Sequence, residues 1–158
     1  MQLYFDMNIY NRVFDDQNQF RIKLETTAIL SLFELIEKGK YALCWSFMLE
    51  FENANNPFSA RRLHIQKVSA ICSSSIEPSS EILDLAKQIM EHSNSREKDA
   101  IHLACALYSN CDYFITCDDL LIKTINRNIS TLKPIMKSTK LINPVDFLRK
   151  EMNLDDNK

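Results

Sequence analysis

Apolar residues fall along this chain in two rhythms. Residues 2–5 (QLYF), 41–45 (YALCW) and 113–116 (YFIT) are short, nearly unbroken apolar runs. That is the pattern of strands covered on both faces. Between them the apolar positions recur at helical spacing. Over residues 20–38, Ile22, Leu24, Ile29, Leu32, Phe33, Leu35 and Ile36 line up in this way. Gly39 follows where a left-handed helix cap wants a glycine. Ser46 is placed to cap a helix reaching about residue 53, which Asn56-Pro57 breaks. A further helix is predicted over residues 59–72, then a polar loop, SSSIEPSS at 73–80, with a brief extended segment at Ile76. Residues 81–92 are amphipathic. Asn94 with Glu97 three residues later forms a capping box, ahead of an apolar helix body at 100–107. Another helix is predicted over 118–126, with edge strands at 134–136 and 141–142. Asn143-Pro144 opens a last helix through Arg149, and the polar NLDDNK ends the chain.

Short apolar strands alternating with helices predict a three-layer α/β/α sandwich around a central, mainly parallel sheet. The expected organisation is one domain over residues 1–150 and a polar tail over 151–158. No internal repeat or linker interrupts it.

Composition narrows the function classes. The chain has 158 residues and a formal net charge of −2, so nucleic-acid binding would need a local basic patch rather than a global field. It contains a single glycine, Gly39. Phosphate-cradling loops need glycines for close backbone approach, so neither a Walker loop nor a dinucleotide fingerprint can be built. The five cysteines (Cys44, Cys72, Cys105, Cys111, Cys117) contain no C-x-x-C pair and read as small buried thiols of a reducing compartment. No signal pattern is present, and no apolar run approaches the ~18 residues of a membrane span. The expectation is a cytoplasmic protein that does not use a membrane.

The chemistry lies in the acids. In open parallel sheets, ligands bind beyond the carboxyl ends of the strands. Asp6 ends the first predicted strand, Glu50 and Glu52 follow the second, Asp118 and Asp119 follow the third, and Asp99 opens the helix feeding it. Each alone is also what a helix cap or first turn uses. Four separated segments delivering carboxylates to one end of one sheet point instead to a shared site. Clustered carboxylates repel unless protonated or bound to a cation, and hard oxygen donors suit Mg2+ or Mn2+. The chemistry that follows is metal-assisted hydrolysis of a phosphodiester.

The stretches LYFDMNIYN, WSFMLEFEN, KDAIHLACAL and YFITCDDLL resemble, in order, the four acidic motifs of the PIN domain, over residues 2–145. That family, which includes the VapC-type toxins of toxin–antitoxin pairs, comprises divalent-metal-dependent ribonucleases. The resemblance implies that Asp6, Asp99 and Asp118 bind metal and that Glu52 completes the catalytic set, with Asn8 and Thr116 in support. Glu50 is the alternative to Glu52. Residues two apart on a helix point roughly 200° apart, so the two cannot serve equivalently. The spacing from Ser46 in the family favours Glu52. Met7 departs from the family pattern, which commonly has a small polar residue there. An RNA substrate, an antitoxin protein and a homodimer are the implied partners.

Among the cations, Arg12, Arg21, Arg61, Arg62, Arg96 and Lys98 could form a local path for a phosphate backbone. Arg12 and Arg96 neighbour the acids in sequence and are the expected substrate-binding pair, whereas Arg61 and Arg62 read equally as solvated helix surface. His102, one turn after Asp99, reads as an edge residue of its helix, and Trp45 as core. Two alternatives remain. One is a PIN-fold module that binds RNA or protein without cutting. The other is a haloacid-dehalogenase-like phosphatase, with Asp6 as nucleophile and the Asp118-Asp119 pair.

Overall fold

The computed structural model describes residues 1–156, with side chains through Asn153. Five strands form one sheet: β1 (Gln2–Phe5), β2 (Ala42–Ser46), β3 (Ser74–Ile76), β4 (Tyr113–Ile115) and β5 (Lys140–Ile142). Their order is β3-β2-β1-β4-β5, and every pairing is parallel. The helices are α1 (Met7–Asn11), α2 (Phe20–Glu37), α3 (Phe47–Ala54), α4 (Ser59–Val68), α5 (Ser80–Ser93), α6 (Glu97–Tyr108), α7 (Asp119–Arg127), α8 (Ile129–Met136) and α9 (Pro144–Asp156). Crossovers running both ways from β1 divide them between the two faces. Accordingly α2 packs on α9 and α1 on α4, while α5 packs on α6 and α8.

The apolar runs are continuous because alternate residues serve opposite layers. On β1, Phe5 meets Tyr10 and Phe33 of one layer at 6.1 and 5.7 Å between ring centroids. Tyr4 turns the other way, stacked on Phe114 at 5.4 Å and tilted against His102 at 5.9 Å. Leu3, Tyr4 and Phe5 are all completely buried, and each such side chain stabilises the fold by roughly 1.5–3 kcal/mol.

Several local features depart from the sequence pattern. Asp6 caps a short helix, α1, that extends into a 3-10 turn over Arg12–Phe14; the apolar spacing there is too short to announce it. Asn94 does not open α6. It ends α5 in the left-handed conformation at φ 58°, and Arg96 occupies the cap position of α6 without a side-chain bond. The segment around Pro134 is helical rather than an edge strand. Proline removes one helical hydrogen bond, but burial of Leu132 and Met136 offsets the loss, and α8 packs on α5. The last helix passes Arg149 and takes in residues 151–156 of the expected tail, with 157 and 158 outside the described residues. Gly39 behaves as the spacing predicts: at φ +80° it closes α2, with Gly39 N–H donating to Ile36 O and Lys40 N–H to Leu35 O.

Two sets of contacts hold α9, one before Arg149 and one beyond it. The Tyr41 hydroxyl donates to Glu151 Oε2 at 2.8 Å, and fully buried Phe147 is met edge-on by Tyr41 and Tyr113. Phe147→Ala should therefore lower stability by about 3–5 kcal/mol, read as a shift of the urea midpoint. A change below about 1 kcal/mol would mean that α9 is not part of the core.

Candidate functional site

Strands β1, β2 and β4 end side by side, and the chain leaves each of them into a helix cap. Asp6 N–H extends the ladder to Ile115 O at 3.0 Å, so the Asp6 side chain emerges beside Thr116. Asp6 is only 6% exposed. Its Oδ1 accepts the Met7 N–H at 2.8 Å, and its Oδ2 accepts the Thr116 hydroxyl at 2.8 Å and the Asn8 amide at 3.1 Å. Thr116 Oγ1 in turn accepts from Asn8 Nδ2 and from Asp118 N–H. Asn8 Oδ1 receives the Cys117 N–H. This mesh fixes the first acid to the start of the fourth acidic segment. Met7 contributes its backbone N–H, and the side-chain bonds to Asp6 come from Thr116 and Asn8.

Asp6, Glu52, Asp99 and Asp118 line one open cleft of about 600 Å³, together with Asn8, Arg96 and His102. Asp118 caps α7 through Oδ1, which accepts the Leu121 N–H at 3.1 Å. The capping role and the cleft-lining role thus fall on the same residue, as they do at Asp6. Asp99 stands in the first turn of α6, where the helix dipole favours negative charge. Arg96 spans two of the acids: its Nε is 3.1 Å from Asp99 Oδ2 and its Nη2 is 3.5 Å from Asp118 Oδ2, while its side chain is 78% exposed.

Geometry separates the two glutamates of α3. Glu52 Oε1 lies 2.7 Å from His102 Nε2, and His102 Nδ1 lies 2.7 Å from the Tyr4 hydroxyl. That hydroxyl continues to Ser46 Oγ at 2.6 Å. Glu50 points elsewhere, accepting the Trp45 indole N–H at 2.8 Å, and does not line the cleft. His102 is therefore not an edge residue. It is 1% exposed and braces Glu52 from behind. The sequence holds one clue, a histidine amid the small apolar residues Ala100, Leu103 and Ala104. Its partners Tyr4 and Glu52 are distant in sequence and hidden in strand and helix patterns.

Arg12, expected at the substrate, is not among the residues lining the cleft. Its guanidinium pairs with Asp15 at 3.0 Å and with buried Glu25 at 3.1 Å. Asp119 also leaves the site, meeting Arg21 at 2.6 Å. That contact holds its carboxyl below the usual range.

Burial pushes the Asp6 carboxyl up. Nearby His102 and the Thr116 hydroxyl pull it down, and Asp99 pushes it up again. A desolvated carboxylate repelled by its neighbour is an electrostatic demand for a cation. The donor set is anionic oxygen with no cysteine in the cleft wall, which fits a hard divalent ion. Among the described residues no three such side chains already stand at coordinating spacing. In this arrangement Arg96 supplies the positive charge between Asp99 and Asp118.

The sequence model of the PIN domain matches residues 4–125. No protein with a curated description matches the sequence. Among solved structures, a chain of VapBC2 from Rickettsia felis, bound to a DNA fragment from their promoter, superposes with a TM-score of 0.57. It shares 13% identity, and the match covers 90% of this chain and 98% of that one. At that identity the likeness concerns the fold.

Because the folded-state pKa of Asp6 is raised, its stabilising contribution is present at acid pH and lost as pH rises through the folded value. In EDTA, Asp6→Asn should melt above the wild type at neutral pH. The gap should narrow as pH falls through the raised folded value and be gone by the ordinary carboxylate range, about 4. A lower melting temperature for the variant at neutral pH would show that the ionised form is fully compensated.

Proposed function

This chain belongs to the PIN domain family, and on that footing we propose that it is a divalent-metal-dependent endoribonuclease, acting as the toxin of a toxin–antitoxin pair. The observation that carries the reading is the single cleft that gathers Asp6, Glu52, Asp99 and Asp118 from four separated segments. Asp6, Asp99 and Asp118 are the residues that would hold Mg2+ or Mn2+, which supplies, when bound, charge neutralisation at the phosphate and a more acidic water.

The chain's own residues do the rest. Thr116 and Asn8 hold Asp6 in one orientation. His102 keeps Glu52 turned into the cleft, where its carboxylate orients a water and takes its proton. Arg96, exposed and tied only to acids, is placed to exchange those contacts for a phosphate oxygen. Residues 1–150 make up the nuclease domain in this reading. Its setting is the cytoplasm; among the described residues no helix is long and apolar enough to cross a membrane. An antitoxin protein and a second copy of the chain are the proposed protein partners.

The Arg96 bridge favours a second reading, a PIN-fold module that binds without cutting, because it leaves the acids neutralised from within. The phosphatase reading loses its acidic pair, since Asp119 is bound to Arg21 away from the cleft.

Cleavage of single-stranded RNA should require Mn2+ or Mg2+ and stop in EDTA. Asp99→Asn and Glu52→Gln should each reduce the rate on the order of 100-fold or more, while Glu50→Gln should cut at the wild-type rate. Mn2+ should also raise the melting temperature of the wild type but not of Asp99→Asn. Cleavage unchanged in all variants sinks the reading, and no thermal shift with Mn2+ favours the non-cutting module.

A further inference from the structure

We infer that Phe51 and Phe58 form a stacking platform for a base of single-stranded RNA, next to the acidic cleft. This rests on the nuclease reading of that cleft and names the substrate class it accepts. The two rings are each 57% exposed and line a second hollow of about 410 Å³. Met7, Asn11, Asp15, Glu52 and Lys98 belong to the walls of both hollows, so the platform opens directly into the acidic site. Glu52 faces the acids and Phe51, its neighbour on α3, faces the second hollow.

The platform is held in place from below. The Asn56 side chain accepts the Phe58 N–H at 3.1 Å, and Arg62 Nη1 donates to Asn56 O at 2.9 Å. Pro57 stiffens the turn between them. The Arg61 guanidinium lies 4.6 Å from the Phe58 ring centroid and 5.4 Å from that of Phe14, and donates to Phe14 O at 3.3 Å. An aromatic ring backed by a cation and left open to solvent fits a flat, polarisable partner carrying a nearby negative charge. A nucleotide has both, a base to stack and a phosphate for Arg61 or Lys98. Bases inside an A-form duplex do not present their faces, so the arrangement selects unpaired RNA. The cations flanking the cleft also answer how an acidic site on a chain of net charge −2 attracts a polyanion.

The test measures binding of a short fluorescein-labelled single-stranded RNA in EDTA, where cutting is silenced. Phe58→Ala and Phe51→Ala should each weaken binding about tenfold or more. Phe58→Trp should keep the affinity, and its added emission should be quenched by RNA. Leu83→Ala, which removes an equally exposed apolar residue from α5, should bind like the wild type. Wild-type affinity in both phenylalanine variants overturns the platform, as does equal weakening toward double-stranded RNA. The two readings fail separately. RNA that binds through the phenylalanines but is never cut with Mn2+ removes the nuclease and leaves the platform. RNA that is cut with Mn2+ at an unaltered KM in both phenylalanine variants removes the platform and leaves the nuclease.

Discussion

An almost fully buried carboxylate at the end of the central strand is the constraint around which this end of the molecule is arranged. Asp6 is surrounded by neutral donors, the Met7 N–H, the Thr116 hydroxyl and the Asn8 amide. None carries a formal charge, so they orient the anion without cancelling it. Thr116, which supplies one of the two shortest of these bonds, sits at the neighbouring strand's exit, beside Asp6 because β4 pairs with β1 in parallel register. Sheet order and acid placement are thus one fact. A pairing shifted by one residue would turn Tyr4 toward the wrong layer and separate Asp6 from Thr116 together.

Glu25 shows what the chain does with a carboxylate meant for structure. It is 1% exposed, paired with Arg12 at 3.1 Å and bonded by the Asn143 amide at 2.6 Å. The internal guanidinium of Arg12, shared with Asp15, offsets its charge and ties the turn after α1 to α2, while Asn143 ties it to the end of β5. Asp6 has no such internal guanidinium beside it. Arg96 reaches its neighbours from solvent instead, on a side chain free to move. Two buried acids in one small chain therefore differ in kind: one is closed by an internal cation, the other is left for something that comes and goes.

Much of this was legible in the sequence, for a physical reason. Strands buried on both faces must be apolar throughout, so 2–5, 41–45 and 113–116 announced themselves, and acids just past their ends stood out against them. Signals failed where one residue served two masters or where the partner was remote. β3 (Ser74–Ile76) is nearly polar because it is an edge strand with two exposed residues. α8 carries a proline, and tertiary burial overrode the local preference. Asn94 suits a helix start and a left-handed end equally, and the start of α6 alone could not decide between them. The brace from Ser46 through Tyr4 and His102 to Glu52 joins residues from four elements, and Tyr4 in an apolar strand looks like any core aromatic. Arg12 looked like a substrate contact because it is near Asp6 in sequence, yet it lies past α1 at the start of the 3-10 turn, with its side chain on Glu25.

The strand order also has a consequence in time. Chains emerge from the ribosome in order, and Thr116 follows Asp6 by 110 positions. β1 and β2 can pair early, whereas β4 takes its place on the far side of β1 only after α5 and α6 have been made. Until then Asp6 has no Thr116 beside it, and Asp99 and Asp118 are not in the same place as Glu52. The cleft is therefore a late product of synthesis. On the nuclease reading proposed above, a growing chain would be silent toward the messenger being read to make it, and competent only when the fold closes.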